Sequence, residues 1–232
     1  MFDPKKFAVT KAKPLPLYLL LDVSSSMEGD KIDNLNQAMR DLINSLSGEE
    51  KIEIEILISI ITFGSQANLH FSPTSASKVE FSNLTANGMT SMGAALKMAK
   101  DMIEDKKITP SRAYRPTIVL VSDGQPNDNW KKPLDDFINS GRSQKCDRIA
   151  MAIGRDADES VLNQFILGTE HKLFYASDAK GLHKFFQYVT MSVTTRTKST
   201  NANEIPKDSD LDISKTKPTI VVSNNTEDNN DW

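Results

Sequence analysis

The sequence predicts an α/β protein: a doubly wound, mostly parallel central sheet with helices on both faces. Three observations carry this. Strand-length apolar runs alternate along the chain with segments of helical periodicity. The central runs, Leu17–Leu21 and Thr117–Val121, are apolar throughout, as strands covered on both faces are. The chain has 232 residues and one cysteine, Cys146, so a core of ordinary size must hold without an internal disulfide or a thiolate zinc cluster.

The elements follow in order. Leu17–Leu21, bounded by Pro16 and Asp22, is the first strand. Ile32, Leu35, Met39, Leu42, Ile43 and Leu46 recur at helical spacing and give an amphipathic helix. Ile54–Phe63 is the second strand, and Asn68–Phe71 a short edge piece. Met92, Ala95, Leu96, Ala99, Met102 and Ile103 line one side of a second helix. Thr117–Val121 is a buried strand, followed by a helix near Pro133–Ser140 and a strand over Arg148–Ile153. Ser160–Leu167 reads as helix and Leu173–Tyr175 as strand, and Leu182, Phe185, Phe186 and Val189 mark a closing helix.

Composition bounds the partners. Lys+Arg 28 against Asp+Glu 31 leaves a net charge of −3, too balanced for binding to nucleic acid or a membrane surface by bulk charge. Lys5, Lys6, Lys11, Lys13, Lys106 and Lys107 lack interleaved aromatics and read as solvated surface. The most hydrophobic stretch, Ile52–Phe63, is interrupted by Glu53 and Glu55, so no bilayer span is expected. The first residues, Met1-Phe2-Asp3-Pro4-Lys5-Lys6, carry charge where a signal peptide needs an apolar run, and a cytoplasmic protein is expected. Residues 1–14 read as an N-terminal extension and 15–195 as the domain. From Arg196 to Trp232 the chain is rich in Asn, Ser, Thr, Asp and Lys, too polar to offset the entropy of ordering, and reads as a flexible tail. Thr219–Ser223 is a short β-prone island within it.

Open α/β sheets place their sites outside the carboxyl ends of the strands. Two acidic loops lie there: Asp22-Val23-Ser24-Ser25-Ser26-Met27 after the first strand, and Ser122-Asp123-Gly124-Gln125-Pro126-Asn127-Asp128 after the Thr117–Val121 strand. Asn87-Gly88-Met89-Thr90-Ser91-Met92-Gly93 opens the second helix between them in sequence. Singly, each has an ordinary structural use: serines cap helices, Asp-Gly makes turns, and a threonine before a helix is an N-cap. Jointly they offer hydroxyls from Ser24, Ser26 and Thr90 with carboxylates from Asp22 and Asp123, and no His or Cys nearby in sequence. An all-oxygen set with neutral hydroxyls in the majority suits Mg²⁺, with Mn²⁺ or Ca²⁺ as substitutes. Two carboxylates nearly balance a dication, leaving an open position suited to an acidic group from a partner.

Those residues resemble the von Willebrand factor A domain, whose metal-ion-dependent adhesion site combines Asp-x-Ser-x-Ser, a distant Thr and a later Asp before Gly. The resemblance runs from about Leu15 to Ser192 and implies that Ser24, Ser26 and Thr90 hold the metal directly, with Asp22 and Asp123 acting mostly through water. Leu17–Met27, Ser59–Gly64, Gly88–Leu96 and Pro116–Asp128 look more narrowly like the bacterial TerY-type subgroup of tellurite-resistance and stress operons. That likeness implies a serine/threonine kinase and a PP2C-type phosphatase as partners, and a role in stress response or phage defence. Ser25 stands where many members have Gly, and Met89 interrupts the common Gly-Gly-Thr.

An enzyme reading fares worse. Asp22 as the nucleophile of a Mg-dependent phosphohydrolase needs a second acid two residues on, where the chain has Ser24. No Gly-x-Ser-x-Gly elbow or phosphate-binding Gly-x-x-x-x-Gly-Lys loop is present, and His70, His171 and His183 are scattered. A non-enzymatic, metal-dependent interaction module is the expectation.

Overall fold

The computed structural model describes residues 12–49, 54–123, 125–154 and 157–206. Strands β1 (Lys13–Asp22), β2 (Ile54–Phe63), β3 (Ala67–Ser75), β4 (Thr117–Ser122), β5 (Asp147–Ile153) and β6 (Phe174–Ala176) form one sheet in the order β3-β2-β1-β4-β5-β6. All pairings are parallel except β2–β3, a hairpin whose irregular register makes β3 an antiparallel edge. Helices α1 (Asp30–Ser47) and α5 (Ala179–Lys198) cover one face; α2 (Met92–Glu104), α3 (Lys131–Asn139) and α4 (Glu159–Phe165) cover the other.

The two faces follow from side-chain alternation. In β1, Leu15, Leu17, Leu19 and Leu21 pack beneath α1 and α5, whereas Tyr18 and Leu20 pack beneath α2 and its neighbours. In β2, Ile54, Ile56, Ile58 and Ile60 take the first face and Ile61 and Phe63 the second. Both faces being covered, the middles of β1 and β4 are apolar, and at their carboxyl ends the polar Asp22 and Ser122 appear. The chain winds outward from β1 in one direction and from β4 in the other. These neighbours therefore form the switch point, where no helix crosses the strand ends and a crevice opens.

Every helix and strand expected between residues 17 and 189 is present, with ends moved by a few residues. The edge piece is longer than expected, nine residues rather than four, because a hairpin partner on β2 extends it. No described helix is long and apolar enough to cross a membrane.

Both expected domain boundaries are corrected. Lys13 and Pro14 already belong to β1, so the domain begins inside the expected 1–14 extension. The body also continues past Thr195 to at least Pro206: α5 runs to Lys198, Arg196 is fully buried and Ala202 is 1% exposed. Arg196 Nε donates to the Ala202 carbonyl at 2.8 Å, Nη1 donates to Thr117 Oγ1 at 2.7 Å, and Nη2 donates to the Arg115 carbonyl. Arg115 N–H in turn donates to Asn203 Oδ1 at 2.8 Å. Burial pushes the guanidinium down to about 10, with Asp147 opposing the shift, so it stays charged at neutral pH. Composition treats an arginine as solvated charge; five fixed N–H donors and a hydrocarbon stem let it sit inside where carbonyls and a hydroxyl await it. The β-prone island at 219–223 and residues 1–11 lie outside the described residues.

This clamp is testable. Arg196→Met should cost at least about 1–3 kcal/mol, the usual penalty for leaving a buried acceptor without its hydrogen bond. A chain ended after Thr195 should not unfold cooperatively. Urea denaturation followed by circular dichroism measures both; an unchanged midpoint in Arg196→Met would show the clamp to be dispensable.

Candidate metal centre

The five sequence-predicted residues all lie at the carboxyl end of the sheet. Asp22 ends β1, Ser24 immediately precedes a short 3₁₀ turn (Ser25–Met27) that contains Ser26, and Asp123 follows β4. Thr90 comes just before α2, at the end of a long irregular segment after residue 79. Asp22, Ser24, Thr90 and Asp123 are buried, at 0%, 2%, 5% and 7% exposure, while Ser26 faces solvent.

Asp22 is held from both sides. Its Oδ1 accepts the Ser24 N–H at 2.8 Å, folding the loop back over the strand end, and its Oδ2 accepts from Ser122 Oγ at 2.5 Å. The parallel register aligns Leu21 with Val121, which sets Asp22 beside Ser122 across the switch point. Burial pushes the Asp22 carboxyl up to about 6; the bonds from Ser122 and Ser24 oppose that shift, and the nearby Asp123 charge adds to it. A dication would act in the opposite direction by favouring the ionised form.

The hydroxyls are arranged alongside. Ser24 Oγ and Ser26 Oγ lie 2.9 Å apart, as Asp-x-Ser-x-Ser alternation allows. The threonine loop is sewn to this turn: Ser25 N–H donates to the Gly88 carbonyl at 2.9 Å, and Gly88 N–H donates to Ser25 Oγ at 3.0 Å. On its other side Thr90 N–H donates to Asn127 Oδ1 and Asn127 N–H donates to the Thr90 carbonyl, both at 3.1 Å. Thr90 is thus held directly to the second acidic loop and through Gly88 to the first, and its hydroxyl makes no hydrogen bond with the described residues.

Both departures from the family pattern have a local explanation. Ser25 uses its hydroxyl to grip Gly88, a bond that glycine could not make. Met89 is 59% exposed, and no described non-glycine residue has a positive φ, so position 89 does not need glycine's freedom. Gly88 does need it: its φ is +80°, and a Cβ there would lie 1.9 Å from Ser65 Oγ.

Sequence reasoning missed four supporting residues. Ser122 braces Asp22, and Asn127 holds Thr90. Asp128 accepts the Gly93 and Ala94 N–H groups at 3.0 and 2.9 Å, capping α2 from another loop in place of Ser91, whose side chain makes no cap bond. Asn36, buried in α1, exchanges two hydrogen bonds with the backbone of Leu84 and anchors the long threonine segment. Ser122, Asn127 and Asp128 lay within the acidic loop and were visible as polar residues beside the proposed ligands. Asn36 carried no sequence signal beyond being polar on an apolar helix face.

The donor set fits a hard dication. Among the described residues no cluster of three or more His, Cys, Asp or Glu side chains could hold a metal, so an ion here rests on hydroxyls and carboxylates together. Ser24, Ser26 and Thr90 would be direct ligands, with Asp22 and Asp123 as the charges that balance the ion.

A family model for the von Willebrand factor type A domain matches residues 17–188. Human inter-alpha-trypsin inhibitor heavy chain H6 is 23% identical over 181 residues, 71% of this chain but 14% of that protein. Among solved structures, a von Willebrand factor type A protein from Catenulispora acidiphila aligns with a TM-score of 0.61 at 17% identity, covering 78% of this chain and 43% of that one. Proximal thread matrix protein 1 of the mussel byssus, in a structure with its MIDAS motif occupied by zinc, aligns with a TM-score of 0.58 at 18% identity over 79% and 46%. The chain therefore spans less than half of each of these proteins, and at these identities the structural likeness is one of fold.

The buried carboxylate makes a prediction for the metal-free protein. Between about pH 4 and 6 the unfolded chain has released the Asp22 proton while the native chain retains it. The stabilisation this gives is full below pH 4 and lost as pH rises through about 6. Asp22→Asn keeps the shape, its Oδ1 accepting from Ser24 and its Nδ2 donating to Ser122 Oγ, without the cost of ionisation. In EDTA it should be more stable than the parent by roughly 1–3 kcal/mol at pH 8 and not at pH 4. Thermal unfolding at the two pH values checks this; equal stability at pH 8 would mean Asp22 ionises freely.

Proposed function

The chain belongs to the von Willebrand factor type A family, and from that premise we propose that it is a non-catalytic protein-interaction module whose recognition depends on a divalent cation. Mg²⁺ is the assigned ion, with Mn²⁺ or Ca²⁺ able to replace it, held at Asp22, Ser24, Ser26, Thr90 and Asp123. The observation that carries this reading is the combination of a braced, buried Asp22 with three hydroxyls at the β1–β4 switch point. Neutral direct ligands leave most of the ion's charge uncompensated at contact range, so a partner's Asp or Glu completes the coordination. Such a charge-assisted contact at the centre of an interface suits a hot spot.

The geometry of Asp22 supports a non-catalytic role over phosphohydrolysis. Both its oxygens accept hydrogen bonds and the side chain has no exposure, whereas an attacking carboxylate needs a free oxygen facing substrate. The TerY-type resemblance extends the proposal to an adaptor in a bacterial stress or defence system, in the cytoplasm, joining a serine/threonine kinase and a PP2C-type phosphatase.

Partner capture from the native host should require Mg²⁺ and be lost in EDTA. Thr90→Ala should weaken the complex at least tenfold, about 1.4 kcal/mol, although Thr90 reaches the partner only through the ion. Titration calorimetry with the captured partner measures this, and an affinity indifferent to both EDTA and Thr90→Ala would move recognition elsewhere. The protein should not turn over p-nitrophenyl phosphate with Mg²⁺ or Mn²⁺; a turnover abolished by Asp22→Asn would favour the phosphohydrolase instead.

A further inference from the structure

A cavity of about 350 Å³ lies beside the proposed ion-binding loops and shares Val23 and Asn87 with them. Gln66, Asn68, Asn83, Asn87, Thr62 and Thr85 contribute to its wall together with His70, and its lining includes no Asp, Glu, Lys or Arg. Carboxamides and hydroxyls both donate and accept, so the cavity suits neutral amide groups rather than ions. An occupant matched to the whole surface would offer a carboxylate to the ion and carboxamides to the cavity.

The chain beyond Pro206 contains such a segment: Asn224-Asn225-Thr226-Glu227-Asp228-Asn229-Asn230-Asp231. We infer that this segment docks on its own domain, a carboxylate of Glu227 or Asp228 taking the open position on the ion and neighbouring asparagines entering the cavity. The tail thereby acts as a built-in competitor of outside partners. The inference rests on the metal-dependent reading above.

Chain length supports the same choice. The described chain leaves the domain at the amino ends of the strands, where Asn203 accepts from Arg115 N–H just before β4. The site lies past the other end of β4, at Asp123; the eight steps from Arg115 correspond to about 26 Å at ~3.3 Å per residue. The twenty residues from 207 to 226 have an extended contour of about 66 Å at ~3.3 Å per residue, ample for passing round the surface. A group tethered by a connection long enough to reach its site is held at an effective concentration in the mM range. The acids at Asp208, Asp210 and Asp212 are too close to Pro206, because six residues extend only about 20 Å. Reach thus singles out the Glu227–Asp231 group.

The test uses the full chain with Mn²⁺ as a paramagnetic stand-in for Mg²⁺. At substoichiometric Mn²⁺, backbone amide signals of residues 224–231 should broaden together with those of the site loops, and the effect should persist on dilution. Glu227→Gln/Asp228→Asn/Asp231→Asn should abolish it and lower Mn²⁺ affinity about threefold to tenfold, as loss of a tethered ligand at mM effective concentration requires. Asp22→Ala should abolish broadening of both tail and site. Mn²⁺ binding at the site loops without tail broadening overturns the docking but leaves the metal reading intact, whereas no binding at the site loops overturns the metal reading itself. Tail broadening that survives Asp22→Ala means the acids bind the ion unaided, and broadening that fades on dilution means a second copy is the occupant; either overturns docking on the chain's own domain.

Discussion

The contact between Asp22 and Ser122 joins the two halves of this domain at the place where they diverge. β1 and β4 are neighbours in the sheet but lie a hundred residues apart at that contact. Because they are parallel and in register to their ends, two polar residues emerge side by side at the end of the apolar runs of these two strands. One is a carboxylate with no access to water, so its oxygens must be used; the Ser24 N–H and the Ser122 hydroxyl use them. That requirement bends the first loop inward, brings Ser24 and Ser26 together, and sets the floor on which the other loops rest.

The walls above that floor are made of backbone bonds rather than of ligands. The threonine segment is irregular from residue 79 to α2, and long loops of this kind keep a shape only when tied down. Asn36 fixes it near Leu84, Ser25 grips it at Gly88, Asn127 holds it at Thr90, and Asp128 caps the helix it opens. The ties come from α1, from the turn after β1 and from the loop after β4, so the position of Thr90 reports the packing of the whole upper face. A site built this way can hold neutral hydroxyls at fixed positions, and neutral hydroxyls leave a cation hungry for one more negative charge. In the proposed metal-dependent recognition, the electrostatic logic therefore begins with hydrogen bonds that never touch the metal.

The opposite end of the sheet is closed by a different chemistry. Arg196, buried at the last turn of α5, binds carbonyls from two chain segments and the Thr117 hydroxyl, which in turn lies 3.4 Å from Asp147. His171 Nε2 stands 2.7 Å from the other oxygen of Asp147, and the Tyr188 hydroxyl 2.8 Å from His171 Nδ1. This chain of polar contacts ties α5 to the starts of β4 and β5, below the apolar layers and far from the candidate site. It also directs the chain's exit, since the residues after α5 fold back against Arg115.

Much of this was legible in order of residues alone. Apolar continuity marked Leu17–Leu21 and Thr117–Val121 as central strands, and spacing marked α1 and α2, because a helix or strand with a covered face must repeat its apolar residues at its own period. The place of the candidate site was legible too, since Asp-x-Ser-x-Ser and Asp-Gly sit directly after the strands that an open sheet points at its site. What sequence missed involved partners distant in the chain. Arg196 looked like the start of a polar tail because its acceptors belong to residues 115, 117 and 202. Asn36 looked like an unremarkable polar residue on α1 because its partner is 48 residues away. Sequence determined the elements, their alternation and the donor chemistry, all set by residues close in the chain. Only the tertiary structure decided where the domain ends and how the loops lock, because a buried polar group is stable or not according to the acceptors that folding brings to it.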